Sequence, residues 1–169
     1  MLREMTIEGK RPLRADLRTR RPNEPRPVVV VLHGFLGYKR WGFFPWLSER
    51  IADAGFHVVT PSFGLCGVDE ETGRILRPDE FARNTVSDEV EDLHRILGFA
   101  RDGGLSVPVR PGAAGLVGHS RGGAVAMIAA ADHPEVRALV TWATPSTLDR
   151  YTERRKRLWK EEGRLVFRD

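Results

Sequence analysis

Apolar residues alternate with polar ones near the start of the chain, over residues 5–8 and Leu13–Arg18, and Gly9-Lys10-Arg11-Pro12 between them predicts a hairpin turn. Three prolines in 20–27 mark a linker. Val28-Val29-Val30-Val31-Leu32 is then an unbroken apolar run, the signature of a strand buried on both faces of a parallel sheet. The spacing switches to a helical period over 44–54, with Trp46, Leu47 and Ile51 on one face and Gly55 as the stop. A second short strand is predicted over 56–60, ended by Pro61, and residues 61–78, with Gly64, Gly67, Gly73 and Pro78, read as a long loop. Residues 79–101 predict one long helix, because Val86, Val90, Leu93, Leu97 and Ala100 recur at spacings of four and three before Gly103-Gly104. A short strand over 114–117, an alanine-rich helix over 120–131, a strand over 138–142 and a charged helix over 148–162 complete the pattern.

Strands that alternate with helices predict an α/β fold: a mostly parallel sheet of about six strands with helices on both faces. Ligands in such sheets bind outside the carboxyl ends of the strands. The loops after Leu32, Thr60, Val117 and Trp142 are therefore where chemistry is expected.

The length of 169 residues suits one domain. Charge changes the picture little. Residues 1–27 hold eight basic side chains against four acidic, and residues 149–169 hold eight against five, so the basic excess sits at the two ends and the patterned middle is mildly acidic. That distribution reads as solvated surface, and no nucleic-acid partner is expected. Apolar runs are strand-sized, so no membrane span is expected. Arg3, Glu4 and Glu8 interrupt any secretory signal, and the single cysteine, Cys66, cannot form an internal disulfide; both point to the cytoplasm. One cysteine and no paired-histidine spacing give no expectation of a metal or cofactor.

Gly118-His119-Ser120-Arg121-Gly122, followed by Gly123, lies between a predicted strand and a predicted helix. A G-x-S-x-G run in that context is a nucleophile elbow: the turn is too tight for side chains at Gly118 and Gly122, and it lifts the Ser120 hydroxyl to the positive end of the following helix. The bland alternative is a glycine-rich turn without chemistry. His33-Gly34-Phe35 ends the valine strand, where Phe35 N–H is placed to join Arg121 N–H as the second donor to a developing oxyanion.

With these motifs, the opening hairpin and the strand over 138–142, the chain resembles the α/β-hydrolase superfamily from about residue 5 to 148. Gly-His-Ser-Arg-Gly-Gly, together with Phe81-Ala82-Arg83-Asn84-Thr85, resembles bacterial serine-aminopeptidase-like and dienelactone-hydrolase-like hydrolases. The resemblance implies an ester or amide as substrate, and places His33 as a support of the oxyanion loop. It also implies a triad in the order Ser, acid, His. Beyond Ser120 the only histidine is His133, about 20 Å away along the helix at 1.5 Å per residue, too far to be the base and expected to face solvent. His119 is expected to point away from the hydroxyl, His57 to lie at the opposite end of its strand, and His94 to sit mid-helix, exposed or packed. Asp149 is the one candidate acid.

Two strands of the superfamily's usual eight are therefore unaccounted for. Residues 1–148 read as the N-terminal part of a hydrolase domain and 149–169 as the start of a cap-like helical segment, and the chain alone is expected to be catalytically incomplete. A non-catalytic binding protein is the alternative, and either reading leaves a sheet edge that a second copy or another partner would cover. Around the site, Phe63 to Gly67 is expected to line the cleft. Cys66 reads as a buried hydrophobe, Trp41, Phe43, Phe44 and Trp46 mostly as core under the first helix, and Lys39-Arg40 as solvated surface.

Overall fold

The computed structural model describes residues 1–149 and 151–164. Among them, six strands form one sheet: β1 (Leu2–Ile7), β2 (Leu13–Arg18), β3 (Arg26–Leu32), β4 (His57–Pro61), β5 (Val109–His119) and β6 (Val136–Trp142), in the order β1-β2-β4-β3-β5-β6. The first two form the hairpin, β2 pairs antiparallel with β4, and β4, β3, β5 and β6 run parallel. The helices are α1 (Phe44–Asp53), α2 (Pro78–Arg83), α3 (Val86–Arg101), α4 (Arg121–Ala130) and α5 (Glu153–Glu162).

The valine run is buried on both faces. Val28, Val30 and Leu32 join the larger core with Leu93, Ile96 and Leu97 of α3 and Val125 and Ala129 of α4. Val29 and Val31 point the other way, into a smaller core with Phe44 and Ala52 of α1 and Val58 of β4. At about 1.5–3 kcal/mol for each fully buried aliphatic side chain, this strand fixes the sheet's centre and carries His33 to its carboxyl edge.

β6 is different. Leu139 and Val140 point to opposite faces and both are exposed, as is Trp142 at 57%. Met127 and Ile128 of α4 are exposed as well, and although α4 packs against β6, most β6 side chains remain exposed among the described residues. No described helix is long and apolar enough to cross a membrane.

The single long helix predicted over 79–101 is two. Thr85 adopts an extended conformation, its hydroxyl accepts the Asp88 N–H at 3.1 Å, and the Asp88 carboxylate accepts the Thr85 N–H at 3.1 Å, a capping box that starts α3 afresh. β5 begins five residues before the predicted strand, because Pro111-Gly112 reads as loop but is absorbed as an irregularity opposite Arg26 to Val28, with Gly112 at φ 64°. The last helix starts at Glu153, where Thr152 caps it; of the segment 149–169, residues 150 and 165–169 lie outside the described residues. Of the four aromatics expected under α1, only Phe44 is buried: the inward face of that helix is Phe44, Ser48 and Ala52, and it leaves Trp46 66% exposed.

Lys39-Arg40 is not solvated surface. Lys39 is fully buried, its ammonium donating to Asp16 at 2.7 Å and Glu4 at 3.1 Å and pairing with Glu70 at 3.2 Å. Its own N–H donates to Ser62 Oγ, whose hydroxyl donates to Glu70, and Arg40 Nε donates to Asp16 at 2.9 Å. Burial pushes the Asp16 carboxyl up, but the hydrogen bonds from Arg40 and Lys39 outweigh it and hold it below its ordinary value. The cluster pins the loop after β3 to β2. Lys39→Ala removes one of three cationic partners of the buried Asp16 carboxylate, leaving Arg18 and Arg40, and should cost about 1.5–3 kcal/mol in urea denaturation; a loss under 1 kcal/mol would show that the loop does not depend on it.

Candidate active site

Ser120 sits between the last residue of β5 and the first of α4, at φ 53° and ψ −123°, a conformation that costs a non-glycine residue on the order of 1–3 kcal/mol. Its neighbours over-determine it. Ser120 N–H donates to Trp142 O at 2.8 Å, extending the β5–β6 pairing into the turn, and Gly123 N–H donates back to Ser120 O at 3.0 Å. A Cβ on Gly118 would come within 2.5 Å of Gly122 O, and one on Gly122 within 2.3 Å of His33 O. α4 therefore enters directly over the end of β3, with Ser120 at the helix's positive end.

The loop after β3 lies against the serine. A Cβ on Gly34 would meet the Ser120 Cβ at 3.0 Å and His119 O at 3.1 Å, so the fit between β3 and the turn is tight. This places the peptide that precedes Phe35 beside the Ser120 side chain. The Phe35 ring lies 5.3 Å from the Phe81 ring, and the Arg121 guanidinium lies 5.8 Å from its centroid.

His33 anchors this loop. Its Nε2 accepts the Phe63 N–H at 3.1 Å, which assigns the proton to Nδ1, and Nδ1 donates to Gly34 O at 2.8 Å. Complete burial, only partly opposed by the Gly34 hydrogen bond, lowers its pKa to about 4. The imidazole is neutral and both nitrogens are occupied: Nδ1 closes on the next residue of its own loop, and Nε2 ties the end of β3 to the loop after β4. That loop is held further by Asp92, whose carboxylate accepts Gly64 N–H at 2.9 Å, and Cys66 within it is buried, with burial raising its thiol pKa.

Beyond the elbow, Arg121 Nε donates to Glu89 Oε2 at 2.9 Å, and Asn84 Nδ2 donates to Glu89 Oε1 at 2.8 Å. Burial pushes the Glu89 carboxyl up despite the attraction of Arg121. Sequence reasoning overlooked Glu89; the signal was an acidic residue three after Val86 and four before Leu93, on the apolar side of the α3 stripe.

No histidine hydrogen-bonds to the Ser120 hydroxyl among the described residues. His119 packs away from it, among Trp41, Phe43, Phe44 and Trp142. His57 is buried at the amino end of β4, bound to Thr19 and Pro108. His133 does not face solvent: it is half-buried, its Nδ1 on Glu135 at 2.8 Å and its Nε2 on His94 at 2.7 Å, because α3 runs beside the end of α4 and brings His94 to it. Asp149 is exposed and its carboxylate accepts from Lys156 at 2.6 Å. No three His, Cys, Asp or Glu side chains converge to hold a metal ion among the described residues.

Acid titration tests the His33 assignment. Its folded pKa lies below the unfolded value of 6.5, so the unfolded chain binds the extra proton between pH 6.5 and about 4, and stability falls as pH drops through that window. The full contribution is roughly 3 kcal/mol. Burial raises the Glu89 and Asp92 carboxyls, which gives the opposite slope, so the comparison must be with His33→Gln. Urea unfolding at pH 7 and 4.5 should show the wild type losing more stability than the variant, and equal losses would mean that His33 is not buried as the neutral ring.

The family model described as the alpha/beta hydrolase fold matches residues 27–162. No curated protein matches the sequence significantly. Among solved structures, an α/β hydrolase from a Penicillium species superposes with a TM-score of 0.73 at 21% identity, over 96% of this chain and 52% of its own. A dienelactone hydrolase from Anabaena variabilis gives 0.68 at 20% identity, over 85% and 63%. A thermostable carboxyl esterase from Bacillus coagulans gives 0.61 at 21% identity, over 83% and 43%. The chain thus spans between 43% and 63% of the length of these structures.

Proposed function

The chain belongs to the α/β-hydrolase fold family, and we propose that it carries the nucleophile half of a serine hydrolase acting on an ester or amide. The observation that carries this reading is the Ser120 backbone, held at φ 53° by contacts from β3, β6 and α4, which presents a hydroxyl at a helix N-terminus beside the bare backbone of Gly34. In the proposed reaction Ser120 Oγ attacks the carbonyl carbon, and the backbone N–H groups of Phe35 and Arg121 hold the oxygen as it gains charge. His33 positions the Phe35 peptide and transfers no proton, since both of its nitrogens are engaged.

The proton of Ser120 needs a base. Of the five histidines in the sequence, His33, His57, His94 and His133 are hydrogen-bonded to other groups, and His119, whose Nδ1 has no hydrogen-bond partner, packs among aromatic rings, so the base is proposed to come from outside the 169 residues. The fraction of the solved relatives that this chain spans, and the exposed β6 side chains, support the same reading. The exposed β6 equally favours a second reading, a non-catalytic member that uses this edge to bind a partner.

A fluorophosphonate probe separates the two. Treatment of the natively expressed protein, with mapping of the modified peptide, should find the phosphonyl group on Ser120, and Ser120→Ala should abolish it; modification that persists in Ser120→Ala would refute the nucleophile assignment, and a folded protein that takes no label would favour the binding reading. Asp149→Asn should change the labelling rate less than about twofold, as expected of an exposed ion pair. A loss of several hundredfold would instead make Asp149 the triad acid.

A further inference from the structure

The Glu89–Arg121 pair is not required by anything in the proposed reaction so far, yet it is built at some cost. The Glu89 side chain is 4% exposed and that of Arg121 15%. Removing a carboxylate and a guanidinium from water costs several kcal/mol per ion, and an apolar pair of equal volume is often as stable or more so. What an ion pair provides that an apolar pair does not is orientation. Arg121 Nη2 is buried with no hydrogen-bond partner, so Nε on Glu89 is the one hydrogen-bonded anchor of this side chain among the described residues.

The oriented guanidinium lies over Phe35. That contact joins two segments that the backbone does not connect locally: the loop after β3, which carries Phe35 N–H, and the first residue of α4, whose own N–H is the other proposed donor. The Phe81 ring also contacts Phe35, and Asn84, at the end of α2, donates to the Glu89 carboxylate in the first turn of α3.

We propose, on the serine-hydrolase reading above, that Glu89 is a positioning residue that fixes the separation of the two oxyanion donors by holding the Arg121 guanidinium against the Phe35 ring. Without it, the long arginine side chain turns toward solvent, the ring loses its contact with the guanidinium, and the Phe35 peptide is free to tilt. Donors stabilise an oxyanion only when aimed within a few tenths of an ångström of its position, so a small tilt has a large effect on rate and a small one on stability.

The test uses the natively expressed protein and two readouts, the rate of phosphonylation at Ser120 and the phosphorus NMR shift of the resulting adduct, whose phosphoryl oxygen occupies the oxyanion position. Glu89→Ala should slow labelling about tenfold to a hundredfold, less than the loss of a whole donor, and should move the phosphorus resonance. Glu89→Gln, which keeps an acceptor for Arg121 Nε, should restore both to near the wild type. If Glu89→Ala does not give a cooperative thermal transition, Arg121→Lys decides in its place: it keeps the charge but cannot lay a planar fork on Phe35, and should show the same slowing and shift. A folded Glu89→Ala or Arg121→Lys that labels at the wild-type rate, with an unshifted resonance, overturns the positioning role and leaves the nucleophile assignment standing. A wild-type protein that never labels at Ser120 overturns both.

Discussion

Everything at the candidate site depends on how closely three segments approach one another at the carboxyl edge of the sheet. β3 ends against α4, β5 turns into α4 within one residue, and the loop after β3 folds back over that residue. The three contacts require bare backbone at Gly118 and Gly122, where any Cβ would collide with a carbonyl, and leave only a tight fit at Gly34, against Ser120 itself. The unfavourable Ser120 conformation survives because the alternatives are sterically worse, and the buried valine strand that sets β3 in place makes the approach rigid. Strain at a single serine, over-determined from three sides, is thus a consequence of the parallel β4-β3-β5-β6 order and not a local property of the turn.

The sequence displayed this centre clearly because its signals are local. Five consecutive apolar residues can only be a doubly buried strand in a chain of this pattern, and a G-x-S-x-G run between strand and helix has few structural meanings. What was hidden is long-range. The buried position of Lys39 depends on Asp16 and Glu70, which neighbour it only after β2 and the loop after β4 are in place. The pairing of His133 with His94 depends on how α3 lies along α4. The break before α3 was present in the sequence as Thr85 and Asp88, but a regular stripe of apolar residues on both sides of it masked the cap. Charged residues on buried faces, Glu89 among them, are invisible to a reading that assigns charge to solvent.

The charges around Ser120 also say how an oxyanion would be stabilised there. His33 is neutral, with its pKa far below neutrality. Arg121 is matched by Glu89, and the nearby carboxylate of Asp92 is met by Gly64 N–H and Arg11. No uncompensated full charge faces the serine among these groups. Stabilisation in the proposed reaction therefore falls to oriented dipoles: two backbone N–H groups and the amino end of α4. Dipoles of this kind are effective only when fixed in advance, because a group that must reorient as charge develops loses much of its advantage over water. That requirement gives a physical reason for the buried polar ties beside Ser120: His33 with Phe63 holds the loop after β3, Glu89 holds Arg121 at the start of α4, and neither leaves net charge there.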